Sequence, residues 1–225
     1  MPQRETLGDR VLQQIKEILL TGQVVPGESL SLRSMAEALG VSMMPVRQAV
    51  YQLVADHALV ADPNRSVHVP VMTTDQFQEI TTIRLQVESF AVAKATPLVT
   101  PELVGSLRDM NRLLSHKMDI GGEALGEAIL LNKTLHFSVY AASGMPMLVK
   151  IIESLWLRIG PILNYDLRSG SERTRDKVAV AHHDDMIDAL ERRDAEAASR
   201  ALRSDIETAY QYLVKQRYPE HSGMP

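Results

Sequence analysis

Four side chains with metal-ligating atoms lie at helical spacing in the second half of the chain. Asn132 and His136 are four residues apart, so a helix would place them on one face. Only one of His182 and His183 can face inward, because consecutive helical residues diverge by about 100°, and the apolar spacing after them favours His183. Asp205 also follows an apolar helical pattern. Two imidazoles, a carboxylate and an amide oxygen would suit a divalent metal such as Zn, Ni or Mn.

The same spacing has two other interpretations. His136 and His183 can be buried histidines that bond to their neighbours, with Asp205 as a surface charge. Alternatively, these three residues could serve a helical metal-dependent hydrolase. That enzyme would need a general base and an open coordination position, and nothing in the sequence specifically supplies the base.

A second set of polar residues lies in the stretch "LGVSMMPVRQAVYQL", residues 39–53. Ser42 precedes an apolar helical pattern and is predicted to cap it, while Pro45 is tolerated in the first helical turn. Near the start of that helix, Arg47 could reach guanine or phosphate, and Ser42 could bind a phosphate at the helix N-terminus.

The elements before residue 73 explain that arrangement. Apolar periodicity and turn residues predict three helices, over 6–20, over 32–39 and from residue 43, and a β-hairpin around 62–64 with Arg65 at its tip. Between the first two helices, the segment "TGQVVPGESL" predicts a turn with a short extended piece. Helix, tight turn, second helix and hairpin together form a winged helix-turn-helix. In that arrangement the second helix lies in the DNA major groove and the hairpin tip contacts the minor groove or the backbone.

From residue 73 onward the pattern predicts helices alone. The six predicted helices cover residues 75–95, 101–117, 123–142, 145–167, 171–192 and 195–216. We therefore predict a mainly α fold with three parts: a winged helix-turn-helix DNA-binding domain over 1–72, an all-α antiparallel six-helix bundle over 73–217, and a flexible tail over 218–225.

Composition excludes several classes of function. The 225 residues include no cysteine, which rules out disulfides, thiolate metal sites and thiol nucleophiles. No apolar run approaches the ~20 residues of a membrane span, so we expect a cytoplasmic protein without a membrane partner. Residues 1–73 carry six basic and seven acidic residues. A DNA-binding function must therefore rest on where the arginines lie rather than on their number.

The segments "VVPGESL" and "LSLRSMAEALGVSMMPVRQAVYQLVADHALV" resemble the GntR family of bacterial transcription regulators. The resemblance implies that Arg33 and Arg47 contact DNA. The chain departs from the family at Met43, where an arginine is usual, at Gln48, where glutamate is common, and at Ala58, where glycine is common. The change at Met43 implies a shifted operator preference or weaker binding.

The segments "IRLQVESFAVAKA", "LNKTLHFSVYAASGMPML" and "HHDDMIDALERRDAEAASRAL" are similar to the FCD effector domain of the FadR-type subfamily, in its six-helix, VanR-like form. Many members of that family hold a metal with an Asp-x-x-x-His pair and two later histidines. Those positions are Asn132, His136, His183 and Asp205 here, so the carboxylate has moved from the first ligand position to the last. The resemblance therefore implies either a retained metal with a changed preference or a site that binds its effector without a metal.

Two arginines are candidates for effector binding. Arg84 and Glu88 occupy the family's Arg-x-x-x-Glu pattern, and an inward Arg84 would clamp an organic carboxylate through a bidentate contact. Arg158, on the same predicted helix as Trp156, is the second candidate. The alternative for Arg84 and Glu88 is an ordinary ion pair between residues four apart on a helix.

Together the two resemblances cover nearly the whole chain and imply a ligand-responsive transcription regulator rather than an enzyme. We predict a homodimeric repressor that binds a double-stranded DNA operator and senses a small carboxylate beside a metal. A purely structural DNA-binding protein would instead have a filled bundle without a polar pocket.

Overall fold

The computed structural model of the chain describes residues 6–21, 23–61, 66–168 and 171–216. Its elements in chain order are α1 (Leu7–Leu20), β1 (Ser29–Leu30), α2 (Leu32–Leu39), α3 (Met43–Ala55), β2 (Val60–Ala61), β3 (Val67–His68), α4 (Thr74–Ala95), α5 (Pro101–Ile120), α6 (Ala124–Ala142), α7 (Pro146–Arg168), α8 (Glu172–Arg175), α9 (Val178–Glu191) and α10 (Ala195–Lys215). Over these residues, no helix is both long enough and apolar enough to cross a membrane.

The elements α1 to β3, which we call the head, form the predicted winged helix-turn-helix. Thr6 caps α1 in a reciprocal capping box with Asp9, and Gly40 ends α2 in the left-handed conformation that a helix C-terminus favours. The strands form an antiparallel sheet in the order β1-β3-β2. The hairpin was predicted, but β1 was predicted only as a short extended piece. The predicted hairpin tip, Arg65 included, lies outside the described residues, as does the predicted tail.

The elements α4 to α10, which we call the bundle, are all helical, as predicted. One predicted helix is wrong: residues 171–192 form two helices, α8 and α9. The helix is interrupted at Lys177, whose backbone has φ 52° in the left-handed region that few non-glycine residues adopt. The Lys177 amine donates to Ser115 at 3.0 Å and to Asp119 at 2.7 Å, which ties the break to α5.

The head and the bundle share one apolar core. Buried residues of α1, such as Ile15 and Leu19, belong to the same cluster as Ile152 and Trp156 of α7. Polar contacts surround this packing. Lys16 of α1 pairs with Glu153 of α7 at 2.6 Å, the Asn164 side-chain amide donates to the Leu20 carbonyl at 3.0 Å, and Lys133 of α6 pairs with Glu17. We call the contact between the two helices the α1–α7 interface.

Candidate metal centre and nucleic-acid interface

A small cavity of about 30 Å³ lies inside the bundle. Its lining comes from α4, α6, α7, α9 and α10, and consists of Arg84, Asn132, His136, Trp156, Leu163, Ala179, Asp205, Ile206 and Ala209. A cavity needs roughly 10–15 Å³ for each water-sized group that it holds. This cavity exceeds that minimum and can hold a small group such as an ion or a water molecule.

Two buried histidines, His136 and His183, which we call the cavity histidines, converge with the Asp205 carboxylate. His136 and Asp205 belong to the cavity lining, and His183 lies directly behind His136. The Nε2 atoms of His136 and His183 are 3.1 Å apart. The Asp205 Oδ2 atom lies 3.5 Å from the first and 3.9 Å from the second. Two nitrogens at ~2.0–2.1 Å from one tetrahedral zinc ion would be ~3.3 Å apart, so this donor set fits a divalent ion with small adjustments.

The other predicted ligands are placed as helical spacing requires. Asn132, one turn before His136 on α6, is half-buried and lines the same cavity. His183 is 1% exposed, whereas its neighbour His182 is half-buried and lies 3.3 Å from the hydroxyl of Thr208. The structure therefore brings all four predicted metal residues to one place and leaves His182 outside it.

Arg84 and Glu88 form a buried ion pair beside the cavity. The Arg84 Nε donates to Glu88 Oε1 at 2.6 Å, and the guanidinium carbon lies 5.2 Å from the ring centre of Trp156. Burial alone would lower the pKa of Arg84, but the charge of Glu88 and its hydrogen bond raise that pKa above its ordinary value. Arg84 therefore lines the cavity as a cation, already held by one carboxylate.

The structure does not bring Arg158 to this cavity. Arg158 is half-buried, and its Nε is a buried atom that finds no hydrogen-bond partner among the residues that the structure describes. It lies two residues after Trp156, which is about 200° around α7, so the two side chains leave the helix on nearly opposite sides. Its effector contact stays a prediction.

Sequence reasoning missed Tyr140. Its hydroxyl donates to Glu88 Oε2 and lies 3.2 Å from His136 Nδ1. Burial, followed by the nearby Glu88 carboxylate, raises the pKa of Tyr140 well above its ordinary value, so the phenol keeps its proton. The available signal was its position four residues after His136, which places both rings on one face of α6.

Asn111 was missed as well. Its Oδ1 lies 3.0 Å from His183 Nδ1, and the side chain is 1% exposed. The signal was a polar residue on the apolar face of α5, since Leu107 and Leu114 are buried four residues before and three residues after it. A polar residue at a core position needs hydrogen-bond partners, and here one partner is a cavity histidine.

The head presents a groove of about 680 Å³ between α3 and the small sheet. Its lining includes Met43, Arg47 and Tyr51, which follow one another at four-residue spacing and so form a single stripe on α3. Tyr51 is 62% exposed and was not predicted as a contact residue, although its spacing from Arg47 was a usable signal. An exposed aromatic and a cation on one helix face suit contact with a nucleic acid.

The remaining predicted DNA contacts have varied surroundings. Ser42 is the N-cap residue of α3, as predicted, although its side chain makes no capping hydrogen bond. Its hydroxyl is exposed and is not used in a hydrogen bond to the first amides of α3. Pro45 lies in the first turn of α3 and is half-buried. Arg33 on α2 is highly exposed and pairs with Glu37 at 3.0 Å.

Comparison with known proteins decides the family. Residues 7–69 match the family described as bacterial regulatory proteins, gntR family, and residues 79–208 match the FCD domain. The chain belongs to the GntR family of bacterial regulatory proteins. This GntR-family chain is 35% identical over 156 residues to the HTH-type transcriptional regulator McbR of Escherichia coli (strain K12), which covers 69% of this chain and 70% of McbR.

Solved structures agree with that assignment. The structure titled E. coli McbR/YncC superposes with a TM-score of 0.86 and 30% identity, covering 94% of this chain and 99% of the other. A putative GntR regulator from Rhodococcus sp. RHA1 shares the fold, with a TM-score of 0.73, 20% identity, and coverage of 92% and 97%. The GntR-family chain is thus a transcriptional regulator with an FCD domain, and these relatives do not support the hydrolase alternative.

Proposed function

We propose that this regulator is a homodimeric repressor whose operator binding responds to a ligand in the bundle cavity. The observation that carries the proposal is the convergence of His136, His183 and Asp205 in a bundle whose apolar core continues into the head. A more distant relative, 24% identical over 203 residues, is named the HTH-type transcriptional repressor RspR of Escherichia coli (strain K12). Because the proposed target of this regulator is bacterial DNA, we place the protein in the cytoplasm.

On the DNA side, the proposed contact surface is the exposed stripe of α3. Arg47 would contact guanine or phosphate, and Ser42 would bind a phosphate at the N-terminus of α3, where the helix dipole favours an anion. Arg33 and Arg65 would hold the backbone and orient the head. Met43 and Pro45 would lie against the DNA without donating hydrogen bonds to it.

On the sensing side, His136, His183, Asp205 and the Asn132 amide oxygen would hold Zn, Ni or Mn. A bound ion would supply a Lewis-acidic position for an oxygen of the ligand. Arg84 would contact the carboxylate oxygen that the ion does not hold, since Arg84 lines the cavity.

The size of the cavity suggests how binding would reach the head. A small carboxylate beside a metal exceeds about 30 Å³, so its entry must shift at least one wall. Trp156 and Leu163 are the α7 residues in that lining, and the same helix packs on α1 of the head. A ligand that binds the widened state better would shift the population toward a head arrangement with weaker operator binding.

Operator affinity under controlled loading tests the proposal. An operator would first be selected from random duplexes. Its affinity would then be measured by fluorescence anisotropy at constant salt, with chelated protein and with Zn²⁺, Ni²⁺ or Mn²⁺, each across a panel of small organic acids. We expect at least one acid to weaken binding by about 5- to 150-fold, the usual range of allosteric coupling.

Two adjacent histidines provide the matched control for that experiment. His183→Ala removes a cavity imidazole and should abolish the response to metal and acid. His182→Ala removes an imidazole outside the cavity and should leave the response intact. If operator affinity stays constant across every metal and acid, the sensing role is wrong.

A further inference from the structure

A buried hydrogen-bond relay ends on the Nδ1 atom of His136. Glu88 accepts from Arg84 Nε at 2.6 Å, from Trp156 Nε1 at 3.1 Å and from the Tyr140 hydroxyl. The Tyr140 hydroxyl has a single proton, and the contact with Glu88 Oε2 uses it. The Tyr140 oxygen can then only accept from His136 Nδ1, 3.2 Å away. His136 therefore carries its proton on Nδ1.

A second relay ends on the Nδ1 atom of His183. The Asn111 amide nitrogen donates to the Val180 carbonyl at 3.0 Å and to the Asp184 carboxylate at 2.8 Å. Both partners only accept, so the opposite amide orientation would set oxygen against oxygen. The Asn111 oxygen therefore faces His183 Nδ1 at 3.0 Å and needs a donor there. His183 also carries its proton on Nδ1.

The two relays act together on the space between the histidines. With both protons on Nδ1, the two Nε2 atoms present lone pairs to each other across 3.1 Å, with the Asp205 carboxylate 3.5 and 3.9 Å away. With the Nδ1 protons committed to the relays, both Nε2 lone pairs and the Asp205 carboxylate face the same small space, where they would attract a cation.

We infer that Tyr140, Glu88 and Asn111 are positioning residues that hold both cavity histidines in the Nδ1–H tautomer and so aim both Nε2 lone pairs at one cation. This inference rests on the proposed metal site and deepens it. Arg84 gains a second role beside the proposed carboxylate clamp: its hydrogen bond holds Glu88 in place, and Glu88 in turn orients Tyr140. Partners that bond the second nitrogen of a ligating histidine commonly select its tautomer in this way.

The opposite arrangement is a structural histidine pair, in which one ring donates an Nε2 proton to the other. Ring tautomers in the metal-free wild-type chain separate the two cases. Long-range ¹H–¹⁵N correlation spectra of the ¹⁵N-labelled, chelator-treated full chain at pH 8 report them directly. We expect Nδ1–H for both His136 and His183. An Nε2 proton on either ring overturns the inference.

Variants test what the relays do for metal binding. Tyr140→Phe removes one hydroxyl, so His136 should populate both tautomers and the Zn²⁺ affinity measured by calorimetry should fall about 10- to 100-fold. The His183 tautomer should not change. Asn111→Leu should have the opposite effect: His183 should populate both tautomers, and the His136 tautomer should not change. The matched control is Tyr210→Phe, because Tyr210 lies on α10 against Phe77 with ring centres 5.1 Å apart and does not line the cavity.

Wild-type zinc affinity in a folded Tyr140→Phe chain, with folding checked by circular dichroism, would also overturn the inference. These measurements contain no DNA, so they are independent of the regulatory proposal. Constant operator affinity combined with Nδ1–H tautomers would reject the sensing role and retain the relays. A ligand-dependent operator affinity combined with an Nε2 proton would reject the relays and retain the sensing role.

Discussion

Met43 is 38% exposed in the first turn of α3 and lines the head groove one turn before Arg47. A thioether is a weak acceptor and no donor, so it cannot make the bidentate contact by which an arginine reads guanine. The Met43 side chain can still make an apolar contact with a thymine methyl group. The base opposite position 43 should therefore be read by shape and apolar contact alone.

Restoring an arginine at this position should change the preferred operator. We expect Met43→Arg to add a guanine preference at one position of each half-site, with about 1–3 kcal/mol of discrimination against the other bases. Selection from random duplexes followed by sequencing gives the binding-site logo for the wild-type and variant proteins.

The neighbouring methionine is the control. Met44 is 63% exposed and does not line the groove, so Met44→Arg adds the same charge outside the predicted contact. That variant should bind all duplexes more tightly at low salt without a new base preference. An unchanged logo for Met43→Arg, or the same change for both variants, would contradict a base-reading position at 43.

Residue spacing predicted part of the candidate metal site, and the part that it missed has a clear physical cause. Periodicity within one helix was enough to choose His183 over His182 and to pair Arg84 with Glu88. The relays join helices that are far apart in sequence: Tyr140 meets Glu88 across 52 residues, and Asn111 meets His183 across 72. Only the packing of the bundle determines which helices face each other.

At the scale of elements, α7 connects the cavity with the head. Trp156 lies against His136 with ring centres 5.4 Å apart, and one turn later Gly160 lies against the C-terminal end of α1. A Cβ atom on Gly160 would come within 3.2 Å of the Leu19 carbonyl oxygen. Pro161, which follows, cannot donate the usual helical hydrogen bond. A side chain at position 160 would therefore crowd the backbone at the C-terminal end of α1.

Alanine at position 160 should weaken the α1–α7 interface. In open space, replacing a helical glycine by alanine stabilises a protein by about 0.5–1 kcal/mol. Gly105→Ala on α5 should show that gain, because a Cβ atom there meets nothing within 4 Å. Gly160→Ala should not gain this stability, because the new Cβ atom would crowd the Leu19 carbonyl and strain the Asn164–Leu20 hydrogen bond. Thermal unfolding midpoints of the two variants measure the difference.

The same pair of variants tests coupling. Gly160→Ala should bind Zn²⁺ as the wild type does but show a smaller ligand effect on operator affinity, whereas Gly105→Ala should retain the full effect. Equal stabilisation by both substitutions, together with equal ligand responses, would show that the close approach at Gly160 has no role.

Element boundaries could be predicted where side chains mark them. Thr100 with Pro101, and Asp194, cap α5 and α10 as their types suggest. The break between α8 and α9 could not be predicted, because lysine carries no preference for the left-handed conformation. The bonds that Lys177 makes to Ser115 and Asp119 hold it there, and these are tertiary contacts. Strand β1 was similarly uncertain, because its two residues are stabilised only by pairing with β3.

At the scale of the whole molecule, the net charge of −4 requires that DNA binding come from a localised surface. A single small DNA-binding module buries roughly 600–1,000 Å² of protein surface, which limits its affinity and its specificity. Two heads held in one dimer would read two half-sites at once. The relative rotation of those half-sites around the duplex would then matter as much as their sequence.

Changing the half-site spacing tests the dimer. We expect five inserted base pairs to reduce operator affinity to nearly that of a single half-site, because they rotate one half-site by about half of a helical turn of 10–10.5 base pairs. Ten inserted base pairs restore the rotation while lengthening the site by ~34 Å, so affinity should recover only if the two heads can separate that far. Anisotropy titrations on the three duplexes, with a single half-site as reference, measure this. Equal affinity for the original duplex and the five-pair insertion would mean that each head binds independently, which would exclude a mechanism that acts through head spacing.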